Sequence, residues 1–370
     1  MNQATETEAV PRPGVASRGT RVPLLTWTDL LVFALFAAVV LTMPWWLVVI
    51  GGYEALAIKI AIWALFAVGF DILLGFTGYL SFGHAAFYGS AAYITGLSLK
   101  HLSPDILPAM AITFACMIVL APLLGLLTLK RAGIYFSILS LAFAEMLHAL
   151  VLSSTLQRWT GGDNGLTGIP APRLLGSHMS GSNVFLLCAG FLIAGFIIAR
   201  IIRRSPFGLM LRAIKENPMR LEYTGVNVWA YKMAAFVISA MYAGVAGSLT
   251  VIYEPYVATQ YLHWSTSGQV VIMSVMGGVG TLVGPMLGAG FMLYFENVVQ
   301  GVLGAQWKLV LGVIFVAIVI FLPGGFAEVA RRVWMATGHR VRLRRHNVPD
   351  KPGPAEAERS PHSPGPEPTV

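Results

Sequence analysis

The chain is dominated by a succession of apolar runs, each close to the roughly 20 residues an α-helix needs to cross about 30 Å of hydrocarbon. Backbone inside that layer must satisfy every N–H and C=O internally, so such runs commit the chain to helices. Spans are expected near 28–50, 55–74, 83–99, 106–129, 132–153, 184–202, 230–254, 266–282, 283–300 and 305–322. The fold class that follows is all-α, a polytopic transmembrane helix bundle of about ten spans. Composition agrees, with 56% apolar and 11% charged residues and a mean hydropathy of +0.70, far from a soluble domain. Two spans stand apart. Segment 83–99 is short, and 266–282 is separated from its successor only by the stretch from Gly277 to Gly284. Both are candidates for re-entrant or broken helices, which membranes tolerate only where protein or a water-filled cavity satisfies the freed backbone.

Basic residues set the orientation. Arg200, Arg203, Arg204, Arg212, Lys215 and Arg220 crowd one loop, while Arg331, Arg332, Arg340, Arg342, Arg344 and Arg345 follow the last span. Lys130 and Arg131 occupy a third turn, and Arg12, Arg18 and Arg21 precede the first span. An even number of spans puts all of them on one side, which the positive-inside rule makes cytoplasmic together with both termini. The 154–183 loop is then external. Residues 1–27 lack the apolar core of a signal peptide and read as a flexible cytoplasmic lead. Residues 28–325 form the membrane domain. The 326–370 segment, basic and then rich in Pro, Gly, Glu and Ser, reads as a disordered cytoplasmic tail. The net charge of +8 comes from loops flanking the spans and no nucleic-acid motif accompanies it, so membrane lipid is the expected partner of these charges and nucleic acid is not. Cys116 and Cys188 lie within apolar spans without metal-ligand spacing, so neither a disulfide framework nor a metal site is expected.

Enzymatic function finds no support in the motifs. There is no H-E-x-x-H to hold zinc and no G-x-S-x-G nucleophile elbow. Without a G-x-x-x-x-G-K-[ST] phosphate loop, any ATP hydrolysis that drives this chain belongs to another one. Gly280, Gly284 and Gly288, and the pairs Ala240 with Gly244 and Ala243 with Gly247, put small residues at helical spacing, the pattern that lets membrane helices pack closely.

Four ordered motifs carry more. Between Gly75 and Gly89, helix-breaking glycines at 78 and 83 flank Ser81 and precede His84 in an otherwise apolar region. This stretch resembles the G-x-L-S-x-G-H-A-A-F-like motif of the branched-chain amino acid permease family of ABC importers, in particular its LivM-type subunit. The stretch from Arg131 to Glu145, with Tyr135 and Ser140, is similar to the family's G-x-Y-F-A-x-x-T-L-A-F-A-E, although Ser137 and Ser140 replace the more usual Ala and Thr. From Trp159 to Gly168, with Thr160, Gly161, Gly162, Asn164 and Gly165, the external loop looks like W-x-x-T-G-G-x-N/D-G-L; so many loop glycines imply turns with positive φ. The segment Ser205 to Pro218 resembles S-x-F-G-R-A-L-R-A-I-R-E-N, with Met210 near where a small Ala is common. Ser205 suits an N-cap, Pro206 the first turn, and Pro218 a stop. Phe207, Met210, Leu211 and Ile214 make an apolar stripe at helical spacing, compatible also with an amphipathic helix lying on lipid.

The resemblance covers roughly residues 30–325. It implies a permease subunit of an ATP-binding-cassette importer for branched-chain or other small amino acids, not an enzyme, working by alternating access in the bacterial inner membrane. It implies as partners a second, LivH-like permease subunit, two cytoplasmic ATPase subunits that carry the ATP and Mg, and a periplasmic or extracellular solute-binding protein, with no cofactor on this chain. By the same resemblance 205–217 is the helix coupling to an ATPase, with Phe207, Gly208, Arg212, Ala213, Glu216 and Asn217, then Gly225. Gly78, Ser81, Gly83, His84, Tyr135, Ser140 and Glu145 are candidates for the translocation path; a His84 that merely bonds a neighbouring carbonyl is the plainer reading. Glu145 and His148, three apart, share a helical face and are able to pair. Two other readings remain: a urea or amide permease of the same family, and a self-sufficient secondary transporter, for which Asp71, Glu145 and Glu296 are the thin candidate coupling carboxylates.

Overall fold

In a computed structural model, the structure describes residues 27–328, apart from 175, 180 and 323, together with 332. The expected N-terminal lead and almost all of the C-terminal tail lie outside the described residues. The helices are α1 (Trp27–Leu41), α2 (Met43–Val49), α3 (Glu54–Thr77), α4 (His84–His101), α5 (Ile106–Thr128), α6 (Ile134–Leu152), α7 (Gln157–Thr160) and α8 (Gly181–Arg204). They continue with α9 (Pro206–Glu216), α10 (Pro218–Tyr223), α11 (Val228–Tyr253), α12 (Trp264–Gly277), α13 (Val283–Leu303) and α14 (Trp307–Phe321). The only strands among the described residues, β1 (Arg173–Leu174) and β2 (Ser177–His178), form a small antiparallel hairpin in the 154–183 loop.

Five helices, α3, α5, α6, α8 and α11, are long and apolar enough to cross a membrane among the described residues. A sixth crossing follows if α1 and α2 are one span, bent by 54°. The bend has a local cause: Pro44 supplies no N–H in the first turn of α2, and the Thr42 hydroxyl donates back to the Ala38 carbonyl at 2.7 Å. Segments 83–99, 266–282, 283–300 and 305–322 are helical as well, as α4, α12, α13 and α14, without meeting that measure of length and apolarity. The reason at α4 and α12 is burial. Most of α4 is enclosed by protein, so its side chains need not suit lipid. The 14 residues of α12 reach only about 21 Å, short of the hydrocarbon thickness.

One end of the bundle carries the basic loop after α8. α3 reaches it with its C-terminus, where the Lys215 ammonium donates to the Gly75 carbonyl at 2.9 Å. α1 starts there too, with the Asp29 carboxylate held by Arg200 at 3.0 Å and by Arg204. Glu254 at the end of α11 bonds Lys59 near the start of α3, and Ser182 at the start of α8 bonds Glu54, so these ends lie at the opposite face.

Both short helices begin inside this frame. The His84 ring at the start of α4 meets Ser239 at 2.7 Å, and Ser239 lies about 16 Å along α11 from its first residue, at 1.5 Å per residue. The first N–H of α12, on Trp264, donates to Glu145 at 2.9 Å, a similar distance along α6. The two starts touch, since the Ala85 N–H donates to the Ser267 hydroxyl at 2.7 Å. Helix α12 then turns at residues 278–282 and returns as α13. A Cβ on Gly277 would strike the Gly284 carbonyl and one on Gly288 the Met273 carbonyl, so the pair runs antiparallel at backbone contact.

Candidate functional site

Three groups of residues singled out in the sequence occupy different levels of the bundle. At the basic end, α9 is built as its sequence dictates. The Ser205 hydroxyl accepts the Gly208 N–H at 3.3 Å, Pro206 fills the first turn, and Asn217 ends the helix in an extended conformation while capping α10 through the Arg220 N–H at 3.2 Å. The apolar stripe faces the bundle: Leu211 and Ile214 are buried, and Phe207 stacks on Tyr231 with ring centroids 5.7 Å apart. Gly208 is a packing position, because a Cβ there would collide with the Ile202 carbonyl. Arg212 is tied to the Arg203 carbonyl at 3.1 Å, Ala213 is half-buried, and Gly225 turns the chain with φ +82°. The outward face includes Leu209, Glu216, Met219, Arg220 and Tyr223, and of the coupling residues expected from the sequence, Arg212, Glu216, Asn217 and Gly225 are exposed. The stripe at 207, 210, 211 and 214 is not free to rest on lipid.

The same end holds a cluster that the sequence did not disclose. Asp71, fully buried in α3, accepts the Gly280 N–H at 2.6 Å and the Leu282 N–H at 3.2 Å. It clasps the turn between α12 and α13. Gly75, one helical turn on from Asp71, has Gly280 against its Cα face, where a side chain would not fit. Leu282 has φ +63°, the only non-glycine residue with positive φ among the described ones; such sparsely populated backbone costs about 1–3 kcal/mol and persists only when its surroundings hold it. Arg203 at the end of α8 donates to the Thr281 carbonyl at 3.2 Å, and Lys215 of α9 to Gly75. Helix α9 is thus hydrogen-bonded to α3, and α8 to the clasped turn. Such pairings lie 209 residues apart, for Asp71 and Gly280, and leave no local signature beyond an aspartate in an apolar run.

The candidate path residues separate into two sets. Gly78 caps α3 with φ +78°, and the extended stretch after it rises along α6, where the Ser137 hydroxyl donates to the Leu80 carbonyl. Ser81 is buried and accepts the Gly83 N–H at 3.2 Å; Gly83 packs on the Ser140 backbone. His84 is fully buried among Phe70, Phe87 and Phe236. The Ser239 hydroxyl donates to the Gly69 carbonyl at 2.6 Å, so its oxygen accepts from His84 Nε2–H. Only about 10 Å³ of free space adjoins Ser81, Gly83 and Ser140, enough for at most one water. Tyr135 lies apart at 74% exposure. Glu145 also lies apart. It meets His148 at 3.5 Å, as the spacing of three residues anticipates, but its other task is capping α12.

His84 is therefore expected to act by packing rather than by titration. His84→Ala should cost about 2–5 kcal/mol of stability, as other large-to-small core changes do, visible as a lower thermal midpoint in detergent. The milder His84→Gln should leave the pH profile of transport between about pH 5 and 8, where histidine ordinarily titrates, superimposable on the wild type. A displaced profile would assign His84 to the path.

At the opposite end, the glycine-rich loop is as compact as its composition implies. Gly161, Gly162 and Gly165 all have positive φ. Thr160 donates to the Val151 carbonyl at 2.7 Å, and the Asn164 carbonyl accepts the Tyr256 hydroxyl at 3.1 Å. Leu166 pairs with Val257, which fastens the loop to the segment leading into α12.

A family model described as branched-chain amino acid transport system / permease component matches residues 52–321. Among curated proteins the chain is similar to the high-affinity branched-chain amino acid transport system permease protein LivM of Salmonella typhimurium, 26% identical over 80% of this chain and 75% of that one. It is similar to LivM of Escherichia coli K12 at 27% identity over the same shares. Similarity extends to the permease protein LivH of Salmonella typhimurium, 23% identical over 71% of this chain and 90% of that one. No solved structure matches the chain.

Proposed function

The chain belongs to the branched-chain amino acid transport system permease family, and from that premise we propose that it is one membrane-spanning subunit of an ATP-driven importer for branched-chain or other small amino acids. Its partners are a second, LivH-like permease, two cytoplasmic ATPases that bind ATP and Mg, and a solute-binding protein on the far side. The membrane is the bacterial inner membrane. The basic end of the bundle is cytoplasmic by the positive-inside rule, and α1 starts and α14 ends toward it, so both termini are cytoplasmic. The ten elements α1 with α2, α3, α4, α5, α6, α8, α11, α12, α13 and α14 are the membrane-embedded set, with α4 and α12 discontinuous. ATP chemistry belongs to the partners; this chain binds, orients and moves.

The observation that carries the reading is α9. It presents an outward face at the cytoplasmic end while Lys215 ties it to α3 and Asp71 of α3 holds the turn between α12 and α13. Closure of the ATPases on nucleotide would displace α9 and, through α3, tilt the α12–α13 pair, which is how alternating access is produced here. The secondary-transporter reading loses two of its three carboxylates: Asp71 and Glu145 are both engaged in holding backbone N–H groups.

The test is purification from gently solubilised membranes with identification of every chain that remains bound. Recovery of a second permease and an ATPase, with ATP-dependent uptake of L-leucine in proteoliposomes, is the expected result. Uptake by this chain alone without ATP would overturn it in favour of a secondary transporter. Uptake of urea or an amide in place of amino acids would move the cargo within the same family.

A further inference from the structure

Opposite the α9 end, α3, α11, α12 and α13 enclose a cavity of about 290 Å³, near the lower limit of small-molecule sites, about 300–1,000 Å³. Its walls divide by chemistry. One side is apolar, with Ile62, Trp63, Met273 and Met292. The other carries the Lys59–Glu254 pair at 2.9 Å and a second carboxylate, Glu296, which makes no hydrogen bond or ion pair among the described residues. Gln269 and Asn297 line the same space and likewise have no hydrogen-bond partner among the described residues. The Tyr88 hydroxyl, by contrast, is taken by Thr250 at 2.6 Å.

Glu296, Gln269 and Asn297 are half-buried, so water reaches them and a polar ligand is able to take its place. The three charges lining the cavity sum to one excess negative, with Lys308 acting on Glu296 from beyond the lining, so the wall itself favours an ammonium over a lone anion. Lys59, already paired with Glu254 at a cavity edge, is the one cation able to receive a carboxylate. We propose that this cavity is a binding station for the zwitterion of a small aliphatic α-amino acid. Glu296 with Asn297 receives the ammonium, Lys59 exchanges Glu254 for the ligand carboxylate, and the Ile62, Trp63, Met273 and Met292 wall takes the side chain. Glu296 lies about 21 Å along α13 from Leu282, the residue that Asp71 clasps, so one rigid helix joins the station to the cytoplasmic linkage. The proposal rests on the importer reading for its choice of cargo.

The test uses the nucleotide-free assembled importer, with Cys116 and Cys188 replaced by alanine and Gln300→Cys at the exposed rim as reporter, modified by a cationic methanethiosulfonate. Tyr53→Cys, exposed on the rim as well, is the second reporter should the first fail to insert. L-Leucine at ten times its dissociation constant is expected to slow modification about tenfold by occupancy. 4-Methylpentanoate, which lacks the amine, should not protect, and Glu296→Gln in the same background should abolish protection by leucine. An unchanged modification rate, in an assembly whose wild type takes up leucine with ATP, overturns the station and leaves the importer standing. Equal protection by 3-methylbutylamine overturns recognition of a zwitterion. Absence of ATP-dependent leucine uptake by the wild-type assembly overturns the importer reading instead, whatever the reporter shows.

Discussion

Glu216→Lys is expected to abolish ATP-driven uptake while leaving the amount of the chain in the membrane unchanged. Glu216 is exposed on the last turn of α9 and makes no hydrogen bond or ion pair among the described residues, so the change removes nothing that holds the fold. Its neighbours on that face are Leu209, Met219 and Tyr223, at 61%, 60% and 84% exposure, with Arg220 beside them. Large apolar side chains around a charge at the basic end are what a docked partner covers. Reversing a charge in such an interface costs about 2–5 kcal/mol, thirtyfold or more in affinity. The measurement is ATPase co-purification together with leucine uptake in proteoliposomes, normalised to inserted protein. Co-purification and uptake both at wild-type level would remove α9 as the docking element. Gly208, equally attractive as a target from the sequence alone, is the poorer probe, since a side chain there strikes the Ile202 carbonyl and disturbs the joint with α8.

That contrast shows which parts of the molecule were legible beforehand. Continuous apolar runs lead directly to α3, α5, α6, α8 and α11, because in hydrocarbon a long apolar segment has no alternative to a helix. Helices α4 and α12 announced themselves only by being short and glycine-flanked; that they begin inside the bundle depends on Ser239, Ser267 and Glu145, each far away in sequence. Periodicity correctly marks Phe207, Leu211 and Ile214 as one face of a helix, yet an apolar stripe does not say which apolar neighbour it meets, and here it is the bundle. Likewise, an intramembrane carboxylate reads as a functional candidate by default. Asp71 and Glu145 answer that expectation by holding backbone, whereas Glu296 remains open to a ligand.

Asp71→Asn is expected to lower leucine uptake at least about tenfold through loss of the linkage rather than of the fold. As a carboxylate, Asp71 accepts from both Gly280 and Leu282. An asparagine keeps one acceptor but turns an amide N–H₂ toward the second N–H, leaving a buried donor unpaired at a cost of about 1–3 kcal/mol. That penalty falls on a turn that already contains Leu282 at φ +63°, so the turn loosens before any helix does. Hydrogen exchange is the discriminating measurement. The amides of Gly280 and Leu282 should exchange at least about tenfold faster, a shift of some 1.4 kcal/mol in local opening, while α3 and α11 keep their protection. Asp71→Glu should not rescue, because Gly75 and Gly280 pack at backbone contact beside the carboxylate and leave no room for another methylene. Faster exchange at the turn with uptake unchanged would show that the clasp shapes the turn without carrying motion from α9. If exchange rises throughout the bundle, Asp71 is a folding determinant, and the route from the ATPases must then be sought through Arg203 and Thr281.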